Sequence, residues 1–98
     1  MMEPIKVALE SVLRRLGFNE RMMEMTLLDH WEEDVGKAIA SHTKPRRIKG
    51  GRLFVDVDSP VWVHQLTINY KKGLVEKLNQ RLGKMVIEDI RFRQGRID

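Results

Sequence analysis

The residues best able to do chemistry in this sequence are basic and interleaved with apolar positions. Lys44, Arg46, Arg47, Lys49 and Arg52 crowd around the Gly50-Gly51 pair, Lys71, Lys72 and Lys77 lie further on, and Arg91 and Arg93 alternate with Ile90 and Phe92. Guanidinium and ammonium groups at such density neutralise phosphates and release their counterions. An aromatic among them, such as Phe54, can stack on a base. The plainer reading of the same residues is a solvated sheet face whose edge charges discourage aggregation.

Catalytic arrangements are missing from the pattern. Gly36-Lys37 is followed by Ala38, and position 31 is Trp rather than Gly, so no phosphate loop is present. The chain has no cysteine, which removes disulfides, thiolate metal sites and a cysteine nucleophile. His30, His42 and His64 share no ligand spacing, so no metal or other cofactor is expected. His42 and His64 read instead as phosphate contacts or caps of local backbone. Glu32-Glu33-Asp34 reads as a solvated helix face. Asp56 has no nucleophile or acid–base partner near it in sequence. Trp31 and Trp62 lie on apolar helical stripes and read as core anchors. The expectation is a binding module without enzymatic activity.

The elements that must position these residues come from periodicity. With 98 residues, 42% of them hydrophobic, the chain has the material for one globular domain over 1–98. Pro4 opens a helix over about 4–16, with Ile5, Leu9, Val12, Leu13 and Leu16 on one face and Gly17 as terminator. A second helical region spans about 20–41, with a break near Thr26, which would cap a helix starting at Leu27. Its buried face is Leu27, Leu28, Trp31, Val35, Ala38 and Ile39. Gly36 within it suggests close approach of another backbone.

After Pro45 the period changes from helix to strand. Arg46 to Lys49 is extended, Gly50-Gly51 makes a two-residue hairpin turn, and residues 52–57 alternate strictly. Ser59-Pro60 then opens a helix reaching Leu82. Its buried stripe is Trp62, Leu66, Tyr70, Leu74, Leu78 and Leu82, with Val63 and Val75 alongside, and Gly83 closes it. Val86 to Arg93 reads as a last strand, with a bulge near Glu88-Asp89 where the apolar spacing slips. The order α-α-β-β-α-β implies an α+β fold, a three-stranded sheet with helices packed on one face.

Strand alternation then sorts the side chains. If Ile48, Leu53, Val55, Val57, Ile90 and Phe92 face the helices, then Arg47, Lys49, Phe54, Asp56, Arg91 and Arg93 face water. The net charge of +4 is also segregated: residues 1–40 hold eight acids against five bases, and residues 41–98 six acids against thirteen bases. This asymmetry points to a polyanionic partner for the second half. The nucleic-acid candidates are therefore Lys44, Arg46, Arg47, Lys49, Arg52, Phe54, Lys71, Lys72, Arg91 and Arg93. In the acidic half, Glu24, Asp29, Glu32 and Glu33 are candidates for contact with a protein partner. No apolar h-region comes after Met1-Met2-Glu3-Pro4, and no run approaches the roughly 18 apolar residues of a membrane span, so a cytoplasmic bacterial protein is expected.

Several stretches, taken in order, carry a resemblance. Residues 31–45, WEEDVGKAIASHTKP, are similar to the hallmark segment of the DciA-like family. Gly51-Arg52-Leu53-Phe54-Val55-Asp56-Val57 resembles its G-x-L-x-V-x-V strand, and Ser59-Pro60-Val61-Trp62 with Gln65-Leu66 its S-x-x-W-x-x-E/Q-L helix start. Leu78-Asn79-Gln80-Arg81-Leu82-Gly83 resembles L-N-x-x-L-G, and Ile90-Arg91-Phe92-Arg93 the closing strand. The resemblance covers roughly residues 8–95. It implies a KH-like fold and a part in bacterial DNA replication, recruiting or loading a DnaB-type replicative helicase without ATPase activity. The Gly-x-x-Gly loop of true KH domains is not seen here, so the hairpin and open sheet face are the expected contact surface. The resemblance also implies an extension beyond the globular domain, whereas this sequence ends at Asp98.

Three functions stay open on these residues. The first is a DNA-binding helicase recruiter with a basic platform for single-stranded or forked DNA and an acidic second surface. The second is an RNA-binding module, and the third a protein-interaction domain whose basic face meets an acidic partner.

Overall fold

A computed structural model describes residues 20–98; the helix expected over 4–16 lies outside the described residues. The chain runs through α1 (Glu20–Asp29), α2 (Trp31–Val35), α3 (Lys37–Ala40), β1 (Thr43–Lys49) and β2 (Arg52–Val57). It continues as α4 (Pro60–Gln65), a π-helical turn (Leu66–Tyr70), α5 (Lys71–Leu82) and β3 (Asp89–Gln94). Strand order is β1-β2-β3, with β1 antiparallel and β3 parallel to the central β2. A parallel neighbour needs a crossover, which the helix after Pro60 supplies. The described residues show the expected α+β architecture, helices packed on one face of a three-stranded sheet, and Ile48, Leu53, Val55, Val57, Ile90 and Phe92 are all buried under the helices.

The helical region before the sheet breaks at different places from those its sequence suggests. Thr26 does not cap a new helix; its hydroxyl donates to the Met22 carbonyl one turn back, at 3.0 Å, inside an unbroken α1. The breaks fall at His30 and Gly36. Gly36 has φ 92 and ψ 155, and a Cβ there would meet nothing within 4 Å. It is needed for its backbone conformation, not for close packing as expected. Because the helix turns twice, Leu28 and Ala38 leave the expected buried face and are exposed. Gly36→Ala should lower stability by about 1–3 kcal/mol, the usual range for forcing a side chain into such backbone space. Urea denaturation checks this, and an unchanged midpoint would refute the conformational explanation.

The long helix also departs from regularity. In an α-helix, eight residues at about 100° each would leave Leu74 roughly 80° away from Leu66. The wider π turn between them takes up that offset, and Leu66, Leu74 and Leu78 are all buried. Tyr70, expected in the buried stripe, lies on the widened turn and is exposed instead. Ser59 caps the helix start as expected, its hydroxyl accepting the Trp62 N–H at 3.2 Å.

The irregularity expected of the last strand is present at its entry, where the N–H groups of Glu88 (2.7 Å) and Asp89 (3.3 Å) both donate to the Gly51 carbonyl, the two-on-one pattern of a bulge. β3 itself begins only at Asp89, so buried Ile87 lies in the preceding loop. Asn79, itself buried, holds that loop. Its Oδ1 accepts the N–H groups of Val86 (3.0 Å) and Ile87 (2.8 Å), and its Nδ2 donates to the Ile87 carbonyl at 2.8 Å. A register slip also occurs in β1, where Pro45 pairs with Val55 and Arg47 with Phe54, leaving Arg46 as the extra residue.

Candidate nucleic-acid interface

The slip at Arg46 shapes the open face. Strict alternation would put Arg46 on the same side as Ile48. With one extra residue, Thr43 and Pro45 stay buried on the core side, Ile48 is buried too, and Arg46 and Arg47 both emerge toward water. β2 adds half-buried Phe54 and Asp56, and β3 adds exposed Arg91 and Arg93. Lys44 pairs in register with Asp56, and Lys49 is exposed next to the hairpin.

Asp56 is the electrostatic centre of this face. One carboxylate oxygen accepts Arg46 Nε–H at 2.7 Å, and the other accepts Arg93 Nε–H at 2.9 Å. Partial burial pushes the carboxyl up, but the hydrogen bonds and charges of Arg93 and Arg46 outweigh it and hold it below its ordinary value of 3.8. A depressed carboxylate contributes stability that is fully present above its unfolded value and lost as pH falls through its folded one. Asp56→Asn should therefore be less stable than the parent at pH 7, and the gap should begin to narrow below about pH 3.8 and close only as the pH falls through the lower folded value. Parallel urea titrations at pH 7 and pH 3 measure both; a gap that stays constant would contradict the assignment.

Phe54 is not the bare stacking surface its sequence suggests. The guanidinium carbons of Arg47 and Arg93 each lie 5.5 Å from its ring centroid. Charge attraction to the ring holds both cations over it. The surfaces offered to solvent are therefore largely guanidinium planes, which themselves stack on bases.

The remaining basic candidates are spread out. Arg52 and Lys71 both approach Asp89 at the start of β3, at 3.9 and 3.2 Å. Lys72 is exposed on α5, within the helical layer and so apart from the open face. The structure thus brings Lys44, Arg46, Arg47, Lys49, Phe54, Arg91 and Arg93 together, sets Arg52 and Lys71 at the rim, and leaves Lys72 aside.

The acidic candidates divide similarly. Glu24 reaches across to β1 and accepts the Ile48 N–H at 2.7 Å, closing part of a sheet edge that would otherwise be free to pair. Glu33 pairs with Arg81 of α5. Asp29 and Glu32 are exposed, with no ion pair among the described residues.

Sequence reasoning missed three polar groups. Asp34 is not on a solvated face: it is 9% exposed and accepts Arg81 Nε and Nη2, at 2.8 to 3.2 Å. That hydrogen bond, aided by Glu33 and against partial burial, raises the Arg81 pKa beyond its ordinary range. The signal was available, since Asp34 lies three residues after buried Trp31 on one helical face. The Trp31 indole N–H donates to Thr43 Oγ1 at 2.9 Å, and that hydroxyl donates to the Ile39 carbonyl at 2.7 Å. His42 stacks on Trp62, with centroids 4.7 Å apart, and its Nδ1 lies 3.1 Å from Asp58.

Among the described residues no cluster of three or more histidine, cysteine or acidic side chains is arranged to hold a metal. No helix among them is long and apolar enough to cross a membrane. A shallow groove of about 380 Å³ between Asp34, Ile39, Tyr70 and Lys77 lies on the helical side, away from the basic face.

Known proteins are similar in sequence to this chain along most of its length. The family model described as Dna[CI] antecedent, DciA, matches residues 4–92. A UPF0232 protein of Rhodococcus jostii is 26% identical over 90 residues, which cover 92% of this chain and 47% of the relative. Counterparts from Corynebacterium glutamicum and Mycobacterium tuberculosis are 27% and 28% identical over 92% of this chain, and 50% and 48% of their own lengths. The chain spans about half the length of the curated relatives it matches.

Proposed function

This chain belongs to the DciA family, and on that premise we propose that it is a non-enzymatic accessory protein for replicative-helicase recruitment. In this reading the open sheet face holds single-stranded or forked DNA while another surface contacts a DnaB-type helicase in the bacterial cytoplasm. One observation carries it: the helices cover one face of the sheet, and the uncovered face carries Lys44, Arg46, Arg47, Lys49, Arg91 and Arg93 around Phe54. Charges on separate strands track a phosphate backbone, and guanidinium planes over Phe54 offer flat surfaces to bases that are already unstacked. A duplex keeps its bases stacked and gains only the first of these. Exposed Asp29 and Glu32, with Glu24 and Glu33 adding charge nearby, form the surface offered to the helicase.

Fluorescence anisotropy with labelled single-stranded, forked and duplex DNA and matched RNA, across a salt series, tests the reading. Binding in the range of roughly 1–100 µM near physiological salt is expected, weakening steeply as salt rises. Preference for RNA would favour an RNA-binding module. Absence of binding even at low salt would assign the basic face to an acidic protein.

A further inference from the structure

Three side chains on the open face form a closed charge unit. Asp56 of the central strand binds Arg46 of β1 on one oxygen and Arg93 of β3 on the other. Two bases that would together meet two phosphates are thereby reduced to the charge of one. Carboxylate and phosphate are alternative anions for the guanidinium fork, so a strand arriving here competes with a carboxylate already in place.

The two arginines are not held equally. Arg46 also donates to the Arg96 carbonyl, and its side chain is 32% exposed. Arg93 is 48% exposed, whereas Asp56 between them is 14% exposed. The Arg93 guanidinium, already over Phe54, is the more exposed of the two and, among the described residues, has no second partner on the backbone to hold it.

We propose that Asp56 is an internal competitor for nucleic-acid phosphate, occupying Arg46 and Arg93 in the free protein and yielding Arg93 to a strand on binding. This rests on the nucleic-acid reading of the same face and names the contact that sets its affinity. Small isolated anions meet an occupied pair. A strand that already engages Arg47, Lys49 and Arg91 presents its next phosphate at high local concentration and displaces the carboxylate. Asp56 therefore discriminates a polyanion from a free phosphate.

The test is the salt dependence of binding to a labelled oligothymidylate. Asp56→Asn keeps the side-chain shape and removes one charge. It should tighten binding and steepen the log–log slope by about 0.7, one further phosphate on a single strand. Glu76→Gln removes the same charge from the exposed surface of α5 and should leave the slope unchanged. Arg93→Gln, which leaves Asp56 paired with Arg46, should flatten the slope by about 0.7, and adding Asp56→Asn should restore it. A purely structural role for Asp56 predicts no such restoration. If the folded Asp56→Asn protein binds with the parent slope or more weakly, or if Arg93→Gln leaves the slope alone, the competitor is overturned while the platform stands. If neither the parent nor Asp56→Asn binds any strand, both fall.

Discussion

Replacing Arg47, Lys49 and Arg52 together by glutamate is expected to lower affinity for single-stranded DNA by roughly 50-fold at about 0.15 M salt, from counterion release alone. The figure comes from the charge pattern. Each lost phosphate contact on a single strand removes a factor of about the salt concentration to the power −0.7, and three such factors multiply. Repulsion from the introduced carboxylates adds to it. The salt slope should also fall by about 2, which separates loss of phosphate contacts from general damage. Arg47 and Lys49 are exposed and Arg52 lies at the rim, so the core is untouched and the far-ultraviolet circular dichroism spectrum should stay that of the parent. A variant that binds as the parent does would sink the platform assignment. Loss of strand binding with helicase contact retained, in a pull-down with a DnaB-type helicase, would support two separate surfaces.

The second large effect concerns stability. Asn79→Ala should destabilise the protein by about 3 kcal/mol, because a buried amide that makes three hydrogen bonds is removed at once. The damage goes beyond the lost bonds, since the Ile87 N–H and carbonyl are left buried without their partner. The loop from Gly83 to Glu88 delivers β3 to its place beside β2, so the same substitution should loosen Arg91 and Arg93. Urea denaturation gives the first quantity. Amide exchange across residues 86–94 gives the second, and protection equal to the parent's would refute the bracing role. Asn79→Asp is a sharper variant, since it keeps the acceptor for Val86 and Ile87 but turns the donor facing the Ile87 carbonyl into a second acceptor.

These expectations draw unequally on sequence and structure. The six apolar positions assigned to the inner sheet face were legible because a two-residue side-chain period is a local property of the strand. So was the hairpin, since Gly50 and Gly51 both adopt positive φ, at 58 and 75, as the tight turn requires. The resemblance was legible too, yet its marker residues turn out to be largely structural. Trp31 anchors Thr43, Asn79 braces the loop before β3, and Ser59 caps a helix. Errors cluster where the chain is irregular: the turn at Gly36, the π turn before Tyr70, and the slip at Arg46. Each depends on what packs against the segment, which residue types nearby in sequence do not encode.

By itself the sequence determined that basic residues gather in the strands, that one sheet face is apolar, and that the opposite face carries arginines around Phe54 and Asp56. Those conclusions need only composition and alternation. Only the tertiary structure decided that Arg46 joins Arg47 on the open face, that two guanidiniums cover Phe54, and that Arg46 and Arg93 share one carboxylate. Arg46 and Arg93 lie on different strands and meet only through Asp56 on the strand between them. That meeting is set by the register of one strand pair and by a parallel pairing made through a helical crossover, and both are non-local choices made by burial of the opposite face.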